Sequence, residues 1–364
     1  MFTKKIVLLF VASFLFLFVT PLVQARDYPV IVDHNCIKID KIPERWISKA
    51  KQTFKIAYGH TSHGSQIVSG MQVLAKKNPL YAFNSNGHGG ALEFHDRAFS
   101  NDRHDLGHKG DTRWAELTRA YLKRPENSHI NMVMWSWCGG VSDNTEEGIN
   151  IYLNTMNSLE EEFPNVIFIY MTGHLDGSGE QGNLHQRNEQ IRRYCRENNK
   201  VLFDFADIES YDPDGNYFLD KGANDGCNYR GGNWAQEWCE AHPGQCSTVY
   251  CAHSHSLNCD MKGRAFWWML ARLAGWLPPP HAKLHVEGQF VRLTWDPIDG
   301  ALGYLLFYAP YPYRGEETIG SINLGNITEV SATVDHGFAY YLALKAVRGT
   351  DTSDFSNIML VQIK

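Results

Sequence analysis

An α/β domain followed by an all-β domain is what the sequence predicts, and three observations carry that reading. From residue 53, short β-rich runs alternate with segments of helical period, the pattern of a parallel sheet covered by helices. Pro278-Pro279-Pro280 then interrupts the pattern as a stiff break. Beyond it come short runs of alternating polarity separated by Gly, Asn and Asp turns, which suggest a β-sandwich. The length of 364 residues agrees, at roughly 150 residues per domain.

The elements follow in order. Thr53 to Tyr58 reads as a strand and Gln66 to Lys77 as a helix. Ile130 to Cys138 and Val166 to Thr172 read as buried strands; between them Ile149, Tyr152, Leu153, Met156, Leu159 and Phe163 keep helical spacing, so the unit is βαβ. A helix at Leu184 to Asn198 leads into a strand at Val201 to Phe205, and Lys262 to Trp276 closes the region as an apolar helix. Residues 80–112 and 206–260 are long, Gly-rich and polar, as functional loops are. Past a linker at 278–282, strands are expected at Val291 to Trp295, Gly303 to Tyr308, Glu329 to Val334 and Tyr340 to Val347.

Residues 1–25 read as an export signal, with Lys4 and Lys5, an apolar run from Ile6 to Val19, and Val23-Gln24-Ala25 as a small-residue cleavage site. The rival reading, a membrane anchor, needs roughly 20 apolar residues, more than this run supplies. Without that segment 32 basic residues face 40 acidic ones, moving the formal charge from -6 to -8. This balance argues against nucleic acid and against anionic membranes as partners, because both require a positive footprint.

Of eight cysteines, Cys227, Cys239, Cys246, Cys251 and Cys259 crowd one loop-like stretch, and Cys36, Cys138 and Cys195 stand apart. Disulfides are the expectation for an exported chain; an all-Cys zinc site would call for a CxxC pair, which is absent. The pairing stays open.

Leu293-Thr294-Trp295-Asp296-Pro297, Gly303-Tyr304, Tyr341 to Val347 and Ser353-Asp354-Phe355-Ser356-Asn357 make residues 283–364 resemble a fibronectin type III module. The resemblance implies a spacer or adhesive unit without chemistry.

Chemistry is expected at Gly59-His60-Thr61-Ser62-His63-Gly64, where a serine on a strand-to-helix turn stands clear of the sheet beside free helix N–H groups. Ser62 is either a nucleophile or a helix cap. A serine after the first strand of the alternating region, with His255-Ser256-Leu257-Asn258 before the last helix, resembles the SGNH or GDSL-type hydrolases over roughly residues 53–277. That resemblance implies a flavodoxin-like parallel sheet with helices on both faces, carrying a Cys-rich insertion at 206–260 within a domain at 26–277. It further implies that Ser62 attacks an acyl carbonyl, that His255 is the base with His253 as rival, and that Gly89 or Gly90 and Asn144 complete the oxyanion hole. The family's Asp three residues before the His is missing, Ala252 standing there. The acid then comes from elsewhere, Asp204 first with Asp207 and Asp260 as alternatives, or a backbone carbonyl orients the ring.

His60, His63 and His174 at strand ends support a second reading, a metal-assisted hydrolase, and Trp137 lies in the same neighbourhood. Asp212, Asp214, Asn216 and Asp220 alternate like the ligands of a structural calcium loop, though Ala223 stands where its closing Glu would be; a plain Asp/Gly turn is the other reading. Trp234, Trp238, Trp267 and Trp268 are core or a sugar-stacking wall. The expected function is a secreted serine esterase removing O-acyl groups, acetyl foremost, from carbohydrate, with no cofactor required. The alternatives are the metal-assisted hydrolase and a non-catalytic glycan-binding protein.

Overall fold

The computed structural model describes residues 26–99 and 104–363, so the expected export signal at 1–25 lies outside the described residues. The first domain contains β1 (Val30–Val32), α1 (Glu44–Thr53), β2 (Lys55–Gly59), α2 (Ser65–Lys77), β3 (Phe83–Asn84) and β4 (Leu92–Asp96). They are followed by α3 (Arg113–Leu122), β5 (Met132–Trp135), α4 (Glu146–Glu162), β6 (Ile167–Met171), α5 (Asn183–Glu197), β7 (Val201–Phe203) and α6 (Phe205–Ser210). A short hairpin of β8 (Asn228–Tyr229) and β9 (Gly232–Asn233), then α7 (Trp234–Ala241) and α8 (Ser256–Leu273), complete it.

The seven strands β1 to β7 form one wholly parallel sheet in the order β1-β7-β6-β5-β2-β4-β3. From β2 the chain steps out to β4, and from β5 it builds the other half of the sheet. β2 and β5 are neighbours, so the topological switch lies between them, where open α/β sheets bind ligands at their carboxyl edge. Val, Ile, Met and Phe fill the central strands because both faces are covered. Helices α1, α2 and α8 pack together, as do α3, α4 and α5. The closest packing is α2 on α8. A Cβ at Gly70 would lie 1.9 Å from the Cys259 carbonyl oxygen, so only glycine permits that approach.

Helix periods located α2, α4 and α5 to within a few residues, whereas α8 starts well ahead of the expected Lys262, at Ser256. The stretches expected as loops hold more order: β3 and β4 lie in 80–112, and α6, α7, β8 and β9 lie in 206–260. β1 precedes the region where alternation is visible. Disulfides Cys239–Cys246 and Cys251–Cys259 staple the second stretch, while Cys36, Cys138, Cys195 and Cys227 are free.

The C-terminal domain is antiparallel. β10 (Ala282–Glu287), β11 (Phe290–Trp295) and β14 (Glu329–Thr333) form one sheet. β12 (Gly303–Pro310), β13 (Gly320–Gly325), β15 (Ala339–Arg348), β16 (Asp351–Thr352) and β17 (Met359–Gln362) form the other. Its separate core has Trp295 against Tyr304 at 5.3 Å between ring centres. Arg348 ties the two domains by donating to Tyr28 and to the Gly275 carbonyl. No described helix is long and apolar enough to cross a membrane.

Candidate active site

At the carboxyl edge, β2 delivers residues 60–64 and β5 delivers Trp137, Cys138 and Gly139. The turn after β2 is closed by Ser65 N–H to Ser62 O, and the chain enters α2 at once. Gly64 is required there, since a Cβ would fall 2.2 Å from Ser136 Oγ and 2.4 Å from His60 Cβ. The turn after β5 is held by Asn144 Nδ2 donating to Gly140 O at 2.7 Å and by Ser142 donating to Gly139 O. These two turns bring Cys138 and His63 together.

His63 Nδ1 lies 3.1 Å from Cys138 Sγ, and His63 Nε2 lies 3.0 Å from Asp225 Oδ2. Ser62 Oγ is 3.4 Å from the same sulfur. The loop holding Asp225 is fixed by its own N–H bonded to Leu175 O and by Asn224 Oδ1 accepting from Gly226 and Asn228. The His63 ring is sandwiched, His174 stacking at 3.7 Å and 1° and His253 at 4.4 Å and 14°. His174 Nδ1 faces Leu175 O at 3.0 Å.

The arrangement polarises both partners. The hydrogen bond from His63, helped by Ser62 and Thr61 against the effect of burial, brings the Cys138 thiol down to about 6. Burial opposes the His63 imidazolium, but Asp225 and Cys138 on its two nitrogens push it up to about 9. Burial also opposes the Asp225 carboxylate, which the bond from His63 nonetheless holds below the usual range. The other free thiols behave oppositely: burial raises Cys36 and Cys195 well above normal and Cys227 to about 12. Thiolate character is thus confined to the partly buried Cys138.

Behind the site Lys262 Nζ, fully buried, donates to Glu209 Oε1 at 2.6 Å and to Gln66 Oε1. Glu209 Oε2 accepts from Leu175 N–H, and Gln66 Nε2 donates to Ala252 O. One buried ion pair therefore anchors the segments bearing His174, His253 and the start of α2.

The sequence-derived assignments fare unevenly. His63, His174 and Ser62 gather here, joined by His253. His255 is not bonded to Ser62: it caps α8, its Nδ1 accepting from Leu257 N–H at 3.2 Å, and Ser62's hydroxyl partner is Cys138. Asp204 is bonded to no described histidine. Its carboxylate is clasped by Arg192 at 2.6 and 2.7 Å and also accepts from Thr172 and Asp207 N–H. Asp207 pairs with His34, and Asp260 accepts from Ser247. Gly89 and Gly90 precede β4, placing them at the opposite, amino edge of the sheet. Asn144 is close to the site, but its amide spans the turn after Cys138, with Oδ1 on Thr145 N–H.

His60 pairs with Asp96 at 2.6 Å, apart from the histidine stack. Trp137 is buried with its indole N–H on Met171 O, a core residue. Of the expected calcium ligands, Asp212 and Asn216 are bonded to each other, Asn216 Nδ2 donating to Asp212 Oδ2 at 2.8 Å. Asp212 binds the N–H groups of Asp214 and Asn216, and Asp214 accepts from the Trp238 indole, so the segment is an Asp turn. Trp234 and Trp267 are core.

Sequence reasoning missed Cys138 and Asp225. Cys138 stands apart from the clustered cysteines and carries no role in the sequence reading, although a lone cysteine ending a buried strand ahead of Gly139-Gly140 is a signal; Asp225, inside Asn224-Asp225-Gly226, has none.

No protein-family model and no curated protein matches the chain. Solved structures similar to part of it include fibronectin type III domains. The fn3 domain of the human collagen alpha-1(XX) chain in solution is 30% identical, covering 24% of this chain and 86% of its own at a TM-score of 0.22. A crystal structure of an FN3 domain of human collagen XX is 18% identical, covering 23% and 90% at 0.20. A myokine structure is 14% identical, covering 24% and 96% at 0.21.

Proposed function

We propose that the chain is a thiol-dependent acyl hydrolase with Cys138 as nucleophile, His63 as acid and base, and Asp225 as the residue that orients His63. The observation carrying this reading is the unbroken Cys138–His63–Asp225 relay at the switch point of the sheet. In the acylation step the Cys138 thiolate adds to the ester carbon. The backbone N–H groups of the turn that follows Cys138, at Gly139 and Gly140, are the donors this reading assigns to the developing oxyanion. His63 gives its proton to the departing alcohol, leaving a thioester on Cys138. Neutral His63 then takes a proton from water as it attacks the thioester, and the carboxylic acid leaves with the thiolate restored. Ser62 hydrogen-bonds the sulfur rather than attacking.

The SGNH-type resemblance fits this account in part: the strand order outward from β2 is the flavodoxin-like 2-1-3-4-5, and Ser62 follows the first of these strands. The nucleophile, however, moves one turn across the sheet to Cys138. Export, a fibronectin type III-like C-terminal module and an O-acylated carbohydrate substrate remain part of the proposal, supported by the apolar amino terminus, the two disulfides and the antiparallel sandwich. The decisive assay is hydrolysis of p-nitrophenyl acetate and of acetylated xylan. Loss in Cys138→Ala and His63→Ala with survival in Ser62→Ala supports the thiol mechanism; the reverse pattern overturns it.

A second reading has a specific observation behind it: ligand atoms of His63, Asp225 and His253 lie within 4.8 Å of one another. This trio replaces the His60, His63 and His174 set in a metal-assisted mechanism. Activity that a chelator abolishes and Cys138→Ala spares would favour it.

A further inference from the structure

Far from Cys138, at the amino edge where β2 and β5 begin, a second cluster of polar side chains is assembled. Glu93 and His95 stand two apart on β4 and so project from the same face of the sheet. His129 lies just ahead of β5, after a tight turn at Pro125–Asn127. His95 Nε2 and His129 Nε2 both approach a single carboxylate oxygen, Glu93 Oε1, at 2.9 and 2.7 Å. The three ligand atoms all lie within 4.8 Å of one another. Glu93 is buried, a charged residue between Leu92 and Phe94 of the core, while His129 is 46% exposed and leaves an approach from solvent.

We propose that Glu93, His95 and His129 form a binding site for a divalent transition metal of the zinc class, completed by water. Two imidazole nitrogens and one carboxylate oxygen are a zinc-type donor set, whereas calcium and magnesium take oxygen. Zinc bonds of about 2.0–2.2 Å at tetrahedral angles separate ligand atoms by roughly 3.3–3.6 Å, so each histidine nitrogen must draw back from Glu93 Oε1 by less than about 1 Å. The exposed His129 can supply that movement.

The outer contacts fit as well. Tyr121 OH lies 3.3 Å from His95 Nδ1. When Nε2 becomes the ligand, the ring proton sits on Nδ1 and donates to the tyrosine oxygen, the usual way a ligating histidine is oriented. Lys55 Nζ stands 3.8 Å from the other oxygen, Glu93 Oε2, leaving Oε1 to the metal. Because the cluster lies at the sheet edge opposite the Cys138 site, the metal would clasp β4 to the start of β5 rather than take part in acyl transfer.

The test is cobalt(II) and zinc(II) titration of the purified chain carrying Cys138→Ser and His253→Ala, which removes ligands from the cluster at the other edge. Visible d–d bands of low-symmetry cobalt at one equivalent, displaced by zinc and not by calcium, are expected. His129→Ala, at an exposed position that the fold tolerates, should weaken zinc binding by more than about tenfold, and Tyr121→Phe by about tenfold. Glu93→Gln, which keeps the shape of the side chain, should do the same as His129→Ala. No uptake by the folded protein, or uptake that His129→Ala and Glu93→Gln leave unchanged, overturns the assignment.

Discussion

His63 Nδ1 and Cys138 Sγ face each other at 3.1 Å across the gap between the carboxyl ends of β2 and β5. The two residues are 75 positions apart, and adjacent parallel strands bring them together. The contact favours thiolate and imidazolium over the neutral pair, and the predictions below follow from it.

Activity should be bell-shaped in pH. Below about 6 the Cys138 thiolate is protonated, and above about 9 His63 has no proton for the leaving alcohol, so kcat/KM should plateau between these limbs. The stability signs run in opposite directions. His63, raised when folded, contributes fully below its unfolded value near 6.5 and loses that contribution as pH climbs through about 9. Cys138, lowered when folded, contributes fully above about 9 and loses that contribution as pH falls through about 6. Steady-state rates from pH 5 to 10 check the first claim, and urea midpoints of wild type against His63→Ala over that range check the second.

Asp225→Asn should leave the fold intact and lower kcat/KM by about 10²-fold or more, because the ring loses its orienting charge. The alkaline limb should also move down, since Asp225 helps raise His63. A drop in rate with an unmoved alkaline limb would contradict the orienting role.

Ser62→Ala should retain activity within about tenfold, with the thiol modestly less acidic, because the hydroxyl supplies one hydrogen bond to sulfur. Parallel kinetics of Ser62→Ala and Cys138→Ala separate the two nucleophiles directly.

Lys262→Met should destabilise the protein by about 3–5 kcal/mol by leaving Glu209 charged, buried and unpaired. Lys262→Met combined with Glu209→Leu should recover part of the loss in urea melts while activity stays low, since Leu175 N–H and the loops around the site lose their anchor.

Much of the scaffold was legible in the sequence because burial imposes period: the runs at β5 and β6 and the helices α4 and α5 declare themselves through apolar spacing. β4 escaped because Glu93, His95 and Asp96 give it a polar texture, and β1 because three residues carry no period. The sequence pointed to the turn after β2 and to His63 and His174. Family resemblance then drew attention to His255 and Asp204, whose side chains are committed to a helix cap and to Arg192. Cys138 and Asp225 could not be paired in advance, because their relation exists only once β5 lies beside β2 and the loop before β8 folds back over His63.

The most direct measurement is the pH dependence of iodoacetamide alkylation of the native chain, with the modified peptide mapped. The account predicts a single adduct on Cys138, formed with a midpoint near 6 that moves toward 9 in His63→Ala. Cys36, Cys195 and Cys227 should stay unmodified in the buried interior. An unreactive Cys138, or one whose midpoint lies near 9 in wild type and is indifferent to His63, would contradict it.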